Sequence, residues 1–403
     1  GVYISRPAAI GPQFFDIERI EVLRGPQGTL YGKNATGGAI SVYSKLPGDY
    51  LEGYVRAGYG NYDAFETEGA VTVPMGDTLS MRVAGTYQKR DGYVTDLGTG
   101  TKVNNIDQWA ARGILRWQPS SDVDIRLNVH GGGSDTTHNN SVHRGIFDPA
   151  QLALGNTVKL PGNAIVAGQG VDIFGYRDPN PDPYVNTYEG PTFAKIDLFG
   201  VSLVGDFTFG DGYTLTSVTG YETSQRHVLQ EGNGAPSTIF TINWGPSDFE
   251  SISQELRLSS PSDDAFSWVI GGFLFHERGE VHNFYNLADA SFALGGLEAF
   301  DQYYVQSTDT FAAFAQAELE ITDRLNLTVG GRINHEKRDL DHSSFGTDRN
   351  GNNLLPGPLF DINLQESWTE WSGRAALSYD FNDDIMGFVS INRGFTSGGF
   401  NTG

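Results

Sequence analysis

The chain has 403 residues, and its 52 Gly, 18 Tyr, 25 Phe and 6 Trp sit in a composition only 38% hydrophobic, a profile that favours strands over helices. Its 49 Asp and Glu against 27 Lys and Arg give a formal charge of −22, which repels phosphate backbones and argues against nucleic acid as a partner; the absence of Cys removes disulfides, thiolate chemistry and zinc–thiolate sites. No apolar run approaches the roughly 18 residues a spanning helix needs, the longest near-candidate being Phe266 to Phe275, whereas membrane-crossing strands leave a weaker signal and are not excluded.

The first 47 residues stand apart from the rest. Within them, DIERIEVLRGPQGTLYGKNATGGAISVYSKLP, from Asp16 to Pro47, reads as a strand from Ile17 to Arg24, a turn, a compact glycine-rich stretch and a second strand from Ala39 to Ser44. In the turn, Pro26 presets φ while Gly25 and Gly28 relax the backbone. Gly32, Gly37 and Gly38 suit a backbone packed closely against its surroundings. No leader-like segment is visible ahead of this region, so an exported protein would carry its leader outside the sequence.

From Leu51 onward the pattern becomes one of paired amphipathic strands. Leu79, Met81, Val83, Gly85 and Tyr87 alternate with Ser80, Arg82, Ala84, Thr86 and Gln88; Trp109, Ala111, Gly113, Leu115 and Trp117 alternate with polar residues that include Arg112 and Arg116. The same period recurs from Val123 to His130 and from Leu325 to Asn334, and period two means a strand with one apolar and one wet face. Turns of two lengths take turns along the chain. Short ones fall at Pro74, Pro119, Gly210, Ser260, Thr322 and Asn382, each a hairpin signal. Long ones run from Asp91 to Ile106, Gly131 to Pro191, Arg226 to Phe249, Val281 to Thr308 and Asp339 to Glu366. The count comes to about thirteen strands, the first near Leu51 to Tyr59 and the last near Ile385 to Phe395.

Alternation alone fits a soluble sandwich or propeller equally well. Two features weigh towards a membrane barrel: strands of about ten to fifteen residues rather than the usual five or six, and aromatic residues (Tyr87, Trp109, Trp117, Trp268, Trp371, Tyr379) near strand ends, where a barrel places its interfacial girdles.

Asp16 to Pro47 resembles the C-terminal signature of the plug domain of TonB-dependent outer-membrane receptors. Tyr87 to Tyr93 (YQKRDGY), Ser253 to Ser259 (SQELRLS), Val329 to Lys337 (VGGRINHEK) and Ser390 to Asn401 (SINRGFTSGGFN) are similar, more loosely, to barrel segments of that family. The resemblance implies an all-β fold: a partial transmembrane antiparallel β-barrel, about 13 of 22 strands, with the C-terminal part of a plug domain. Residues 1–47 would be the plug remnant and 48–403 the N-terminal part of the barrel, in an internal fragment whose wall cannot close on itself. The implied function is active import of a ferric siderophore, haem or similar large ligand across the outer membrane. Energy would come from the TonB protein of the inner-membrane complex, with outer-membrane lipid as the second partner. A passive porin and a ligand-sensing signalling receptor are the alternatives; an occluded lumen argues against the first.

The residues that carry the plug signature are Glu18, Arg19, Glu21, Arg24, Gly25, Pro26, Gly28, Tyr31, Gly32, Gly37 and Gly38. Inside a lumen the four charged ones would face the wet wall, where Arg82, Arg112, Arg126, Glu255, Arg257, Glu318 and Arg332 project by the alternation. Arg19 or Arg24 is expected within ion-pair reach of Glu255 or Glu318; the plainer alternative leaves all these charges facing solvent. Other motifs fail or stay open. Gly32-Lys33 lacks the Ser or Thr of a phosphate loop and has Gln27 in place of its first Gly. Asp348, Asn350 and Asn352 open like a calcium loop, but Asn353 and Leu359 break it. His138 and His143, with Phe174, Tyr176, Tyr184 and Tyr188 of the same long loop, either grip a ligand or merely fold the loop. No catalytic, cofactor or metal residue is assigned, and the ligand contacts are unknown.

Overall fold

A computed structural model describes residues 2–4, 13–137, 147–159 and 170–400, apart from 173, 179, 181, 189, 233–234, 237–240, 263–264, 289–290 and 292–295. In chain order the elements are β1 (Ile17–Arg24), α1 (Gly28–Tyr31), β2 (Gly38–Ser44), β3 (Glu52–Gly60), β4 (Ala64–Pro74), β5 (Leu79–Arg90), β6 (Val94–Asp96), β7 (Lys102–Val103), β8 (Ile106–Ser120), β9 (Val123–Thr136), α2 (Pro149–Leu152), β10 (Val185–Asn186), β11 (Phe193–Phe209), β12 (Tyr213–Glu231), β13 (Thr241–Ser259), β14 (Phe266–Asn286), β15 (Ala299–Thr322), β16 (Leu325–Thr347), β17 (Phe360–Asn382) and β18 (Ile385–Arg393).

Thirteen of these strands form one antiparallel sheet in which each pairs with its neighbour in sequence, β6, β7 and β10 excepted; β3 and β18 are its two edges. The sheet is open, with no pairing between its edges among the described residues. β1 and β2 form a separate antiparallel pair, Arg24 opposite Gly38 and Ile20 opposite Val42. A three-stranded patch of β10, β6 and β7 stands at the long-loop end.

Every short turn of the sequence analysis falls between two strands, but the long loops are shorter than expected. β15 has 24 residues and β16 has 23, so strand pairing continues through much of Arg226 to Phe249, Val281 to Thr308 and Asp339 to Glu366. The physical reason lies in the environment at that end of the wall. Where both faces of a strand meet water, alternation is no longer required, yet the ladder still satisfies the backbone: Ser307 stands opposite Asp339, and Asp339 opposite Gln365. Periodicity reports the apolar band, and hydrogen bonding runs past it.

Along that band the outward residues are apolar and exposed. One row of cross-strand partners runs Leu127, Leu203 and Thr219, the next Val129, Val201 and Tyr221; Leu203, Ile252, Leu274, Phe311 and Ile333 are each 44–67% exposed. Side chains of this kind are stable only against lipid or another apolar surface. Trp117, Tyr213, Trp268 and Tyr379 rim the short-turn edge. Trp109 and Trp371 stand eight residues above Trp117 and Tyr379 on the same strands, which for tilted strands spans roughly 20 Å, most of an outer-membrane apolar band of about 25 Å. Trp371 is mid-strand rather than near a strand end as expected, because β17 continues beyond the band.

Placing a charge at mid-band tests this orientation. Leu203→Arg should lower the folding stability of the intact protein in bilayers by about 2–4 kcal/mol, whereas Gln225→Arg, on the same outward face above the band, should change it little. Denaturant titration of the vesicle-embedded variants distinguishes the two positions, and equal effects would contradict the assignment of faces.

Candidate functional site

The inward face of the wall is polar, and the described residues among the first 47 meet it at several points. Arg82, Arg112 and Arg332, three of the arginines expected there, are 2%, 8% and 6% exposed. Burying a guanidinium costs several kcal/mol unless its donors are taken up, so their partners define the contact.

Arg82 grips Asp16 as a fork: Nε donates to Oδ2 at 2.7 Å and Nη2 to Oδ1 at 2.5 Å, while Nη1 donates to Thr72 Oγ1 at 2.7 Å. Two parallel charge-assisted bonds fix orientation as well as energy. The Tyr54 hydroxyl donates to the same carboxylate at 3.3 Å. Asp16 adopts φ +49°, a left-handed conformation that aspartate tolerates better than most residues. Its carbonyl accepts from Lys45 N at 3.1 Å, tying the start of β1 to the end of β2. Beside it, Arg112 donates to the carbonyls of Phe15 and Gln13, both at 3.1 Å, and its guanidinium lies 4.6 Å from the centre of the Phe15 ring. Phe15 packs with Ala70, Ala84, Ala110 and Tyr54; small inward alanines leave room for that one ring.

A second contact gathers around Lys33. Its ammonium donates to Glu336 and, at 3.1 Å, to Thr310 Oγ1, and lies 5.3 Å from the Phe275 ring centre. Glu336 also accepts from Arg338 Nε at 2.8 Å and from Ser397 Oγ at 3.3 Å. Burial pulls the Lys33 ammonium below the ordinary lysine range, opposed by the hydrogen bond to Glu336. Residues beyond β18 turn inward to join this contact: Asn34 N donates to Phe395 O at 3.2 Å, and Ser397 N donates to Asn34 Oδ1 at 3.1 Å. Tyr3 meets Phe275 edge to face at 5.5 Å.

Between the two contacts, α1 touches β15, β16 and β17 at van der Waals distance. A Cβ on Gly28 would lie 2.8 Å from Ser372 Cβ, and Gly32, at φ +80°, has the Arg332 guanidinium 3.1 Å from where its Cβ would be. Gly28 thus serves close approach rather than the turn assigned to it, while Gly25, at φ +78° in open space, does serve the turn. Gly37 has neither constraint, and Gly38 brings its backbone against the Leu23 carbonyl. Pro26 lies beside Gly394, and Tyr31, 40% exposed, accepts a 3.4 Å hydrogen bond from Ser41.

The charged residues chosen from the signature do not make this contact. Arg19 pairs with Glu21 at 2.7 Å and Glu18 at 3.8 Å on the exposed side of β1, and Arg24 is exposed. Glu255 pairs with Arg257 at 3.3 Å on the wall, and Glu318 accepts from Gln316 at 3.2 Å. The expected bonds from Arg19 or Arg24 to Glu255 or Glu318 are absent among the described residues. The correction has a simple cause: side chains of β1 alternate, and the wall is met by the chain on either side of β1, at Asp16 before it and at Lys33 in the connection to β2. No periodic signal marks either residue; a lone acid before a strand and a lysine inside a glycine-rich turn were the available hints.

The remaining motifs resolve as local structure. Asp348 accepts from the backbones of Asn350 and Asn352 and the Asn352 amide; those bonds, the amide's first, hold its carboxyl below the ordinary range, as in a self-bonded turn. Tyr188 is 1% exposed against Val94 and Val103, folding its loop over β6 and β7, and burial, with Glu231 and Asp96 nearby, pushes its hydroxyl above the ordinary tyrosine range. Tyr184 packs on Tyr93 at 6.1 Å, while Phe174 and Tyr176 stay partly exposed. His138 and His143 lie outside the described residues.

An antiparallel wall, apolar outside and polar inside, with a compact segment pinned to its inner face, is the arrangement of a partial, unclosed membrane β-barrel with a plug-like segment on its lumen side. Residues 153–403 match the family model described as TonB dependent receptor-like, beta-barrel, and residues 3–39 match the TonB-dependent Receptor Plug Domain. The chain belongs to the TonB-dependent receptor family, whose members are outer-membrane β-barrels. The pesticin receptor of Yersinia enterocolitica is 22% identical over 393 residues, 96% of this chain and 50% of the relative. The ferrienterobactin receptor of Escherichia coli K12 is 24% identical over 374 residues, 88% and 45% of the two chains. The ferric yersiniabactin uptake receptor FyuA of Yersinia pestis shares the fold with a TM-score of 0.74 at 19% identity, covering 96% of this chain and 53% of that one. The ferric-catecholate import receptor Fiu of E. coli K12 does so with a TM-score of 0.71 at 17% identity. The chain spans about half the length of the curated relatives it matches.

The two ionic contacts should differ in weight. Asp16→Ala strands a buried guanidinium and should destabilise docking of residues 13–44 by about 3–5 kcal/mol. Lys33→Ala should cost less, because Glu336 keeps Arg338, and Glu21→Gln should leave docking unchanged. Hydrogen exchange of β1 and β2 amides in the intact protein reads this order directly; protection lost equally in all three variants would contradict it.

Proposed function

We propose that this chain is the plug-and-wall portion of a receptor that imports a ferric siderophore, or a similarly large scarce ligand, across the outer membrane with energy delivered through TonB. Residues 1–47 act as the end of the plug and 48–403 as wall. The observation that carries the reading is how the plug is held. It meets the wall through two discrete ionic contacts, Asp16 with Arg82 and Lys33 with Glu336, and small residues at van der Waals distance. Such an interface blocks passive flow, yet water can take over its hydrogen bonds when the plug moves, so a pull applied to the plug can part it without exposing an apolar core.

The relatives' names support the ligand class: they are receptors for pesticin and ferric enterobactin, and the structural neighbours take up ferric yersiniabactin and ferric catecholates. Iron-starved cells expressing the intact protein should accumulate radiolabelled iron from a siderophore panel, and deletion of TonB should abolish that uptake while surface binding persists. Uptake that continues without TonB, in proportion to external concentration, would overturn the reading in favour of a passive pore.

A further inference from the structure

Inward rows can be read across the wall from strand register. One row joins Gly220, Ser253, Phe275, Thr310 and Glu336, and the plug segment reaches it: Val2 lies over Gly220, Tyr3 against Phe275, and Lys33 on Thr310 and Glu336. About six residues further up each strand, roughly 20 Å of chain, a second row joins Arg226, Ser247, Val281, Tyr304 and His342. This row faces the same lumen on its long-loop side, beyond the plug residues that contact the first row.

Arg226 is the unusual member. Its guanidinium lies 5.4 Å from the Trp244 ring centre, so one face is covered by an aromatic surface. Among the described residues no carboxylate forms an ion pair with it, and the ionisable side chain that acts on it is Tyr304. Glu222, four residues and roughly 13 Å down the same strand, is engaged with His130 at 3.2 Å. In a chain with 49 acids and 27 bases, a half-buried lumen arginine without an acid is a charge held for something else. The irregular pairing between Arg226/Val228 and Trp244/Ser247 is a bulge, the device by which a strand re-aims a side chain. A second, independent group points the same way. His342 is 7% exposed, packs edge to face on Tyr304 at 6.0 Å, and its Nε2 has no hydrogen-bond partner among the described residues; a buried nitrogen of this kind awaits a ligand or water.

We propose that Arg226, braced on Trp244 and flanked by Tyr304 and His342, is a wall subsite for an anionic iron chelate that presents paired oxygens, of the catecholate class. A guanidinium stacked by one face keeps its donor edge free for a bidentate bond to two oxygens in a plane. The local positive charge is needed because the chain's net field repels an anion elsewhere. This subsite rests on the import reading and narrows its ligand.

The test is calorimetric titration of the intact protein in outer-membrane vesicles with two probes, the trianionic tris-catecholato iron(III) complex and an uncharged trihydroxamate complex of iron(III). The catecholate should bind more tightly at low salt than at high salt. Arg226→Gln should weaken it roughly 10- to 100-fold, and Arg226→Lys, which keeps charge but loses fork and stack, should weaken it by less. The trihydroxamate should be insensitive to both changes. Catecholate binding unaltered by either variant, or absent from the unmodified protein, would overturn the subsite, and the salt dependence decides the question even if a variant fails to fold. Iron uptake with and without TonB is measured separately: Arg226-dependent binding without energised uptake would leave the subsite standing and remove the import reading.

Discussion

A backbone N–H or C=O left unpaired in hydrocarbon costs several kcal/mol, and water is not there to take its place. A chain that crosses lipid as strands must therefore bond each strand to the next, and the pleat then sends alternate side chains to opposite faces. The outward set of this wall is apolar, with Leu203, Ile252 and Phe311 in contact with the surroundings, and the inward set carries Arg82, Arg112, Arg332 and Glu336. The polar lumen follows from the same geometry that makes the exterior greasy. Whatever fills that lumen has to meet charge with charge.

That demand explains the character of the plug contact. Asp16 and Lys33 are each matched by an opposite charge on the wall, and further partners occupy the remaining protons and lone pairs: Thr72 accepts from Arg82, while Tyr54 donates to Asp16 and Arg338 and Ser397 donate to Glu336. Buried pairs satisfied in this way contribute modest net stability but make mispositioning expensive, because a shifted plug strands a charge. The glycines at Gly28 and Gly32 let the backbone come near enough for those pairs to form. Specific seating and release into water are thus properties of one interface.

Much of this was legible in the sequence, and the parts that were not have identifiable causes. Strand count, turn placement, the β1–β2 pair and the inward arginines follow from period two and turn chemistry, and the thirteen wall strands lie where alternation and turns put them, whereas the short β6, β7 and β10 fall inside stretches read as long loops. Strand length was underestimated because alternation stops where both faces are wet, while pairing in β15 and β16 continues. The plug signature was recognised, yet its contacting charges were misassigned to Glu18, Arg19, Glu21 and Arg24. Those residues lie along β1, on both faces of a hairpin whose ends, not its middle, touch the wall. Contacts between segments far apart in sequence, such as Lys33 with Glu336, leave no local pattern to read. The Arg226 row is likewise visible only once register aligns five strands.

If seating and release belong to one interface, preventing release should stop transport without touching recognition. No Cys within these 403 residues competes with an engineered disulfide, and Thr36 and Gly394 already approach closely, a Cβ at Gly394 falling 3.3 Å from Thr36 Cγ2. In the intact protein carrying Thr36→Cys and Gly394→Cys, oxidation should leave surface binding of the ferric ligand intact and abolish its uptake, and reduction should restore uptake. Uptake at the full rate with the disulfide closed would contradict the account.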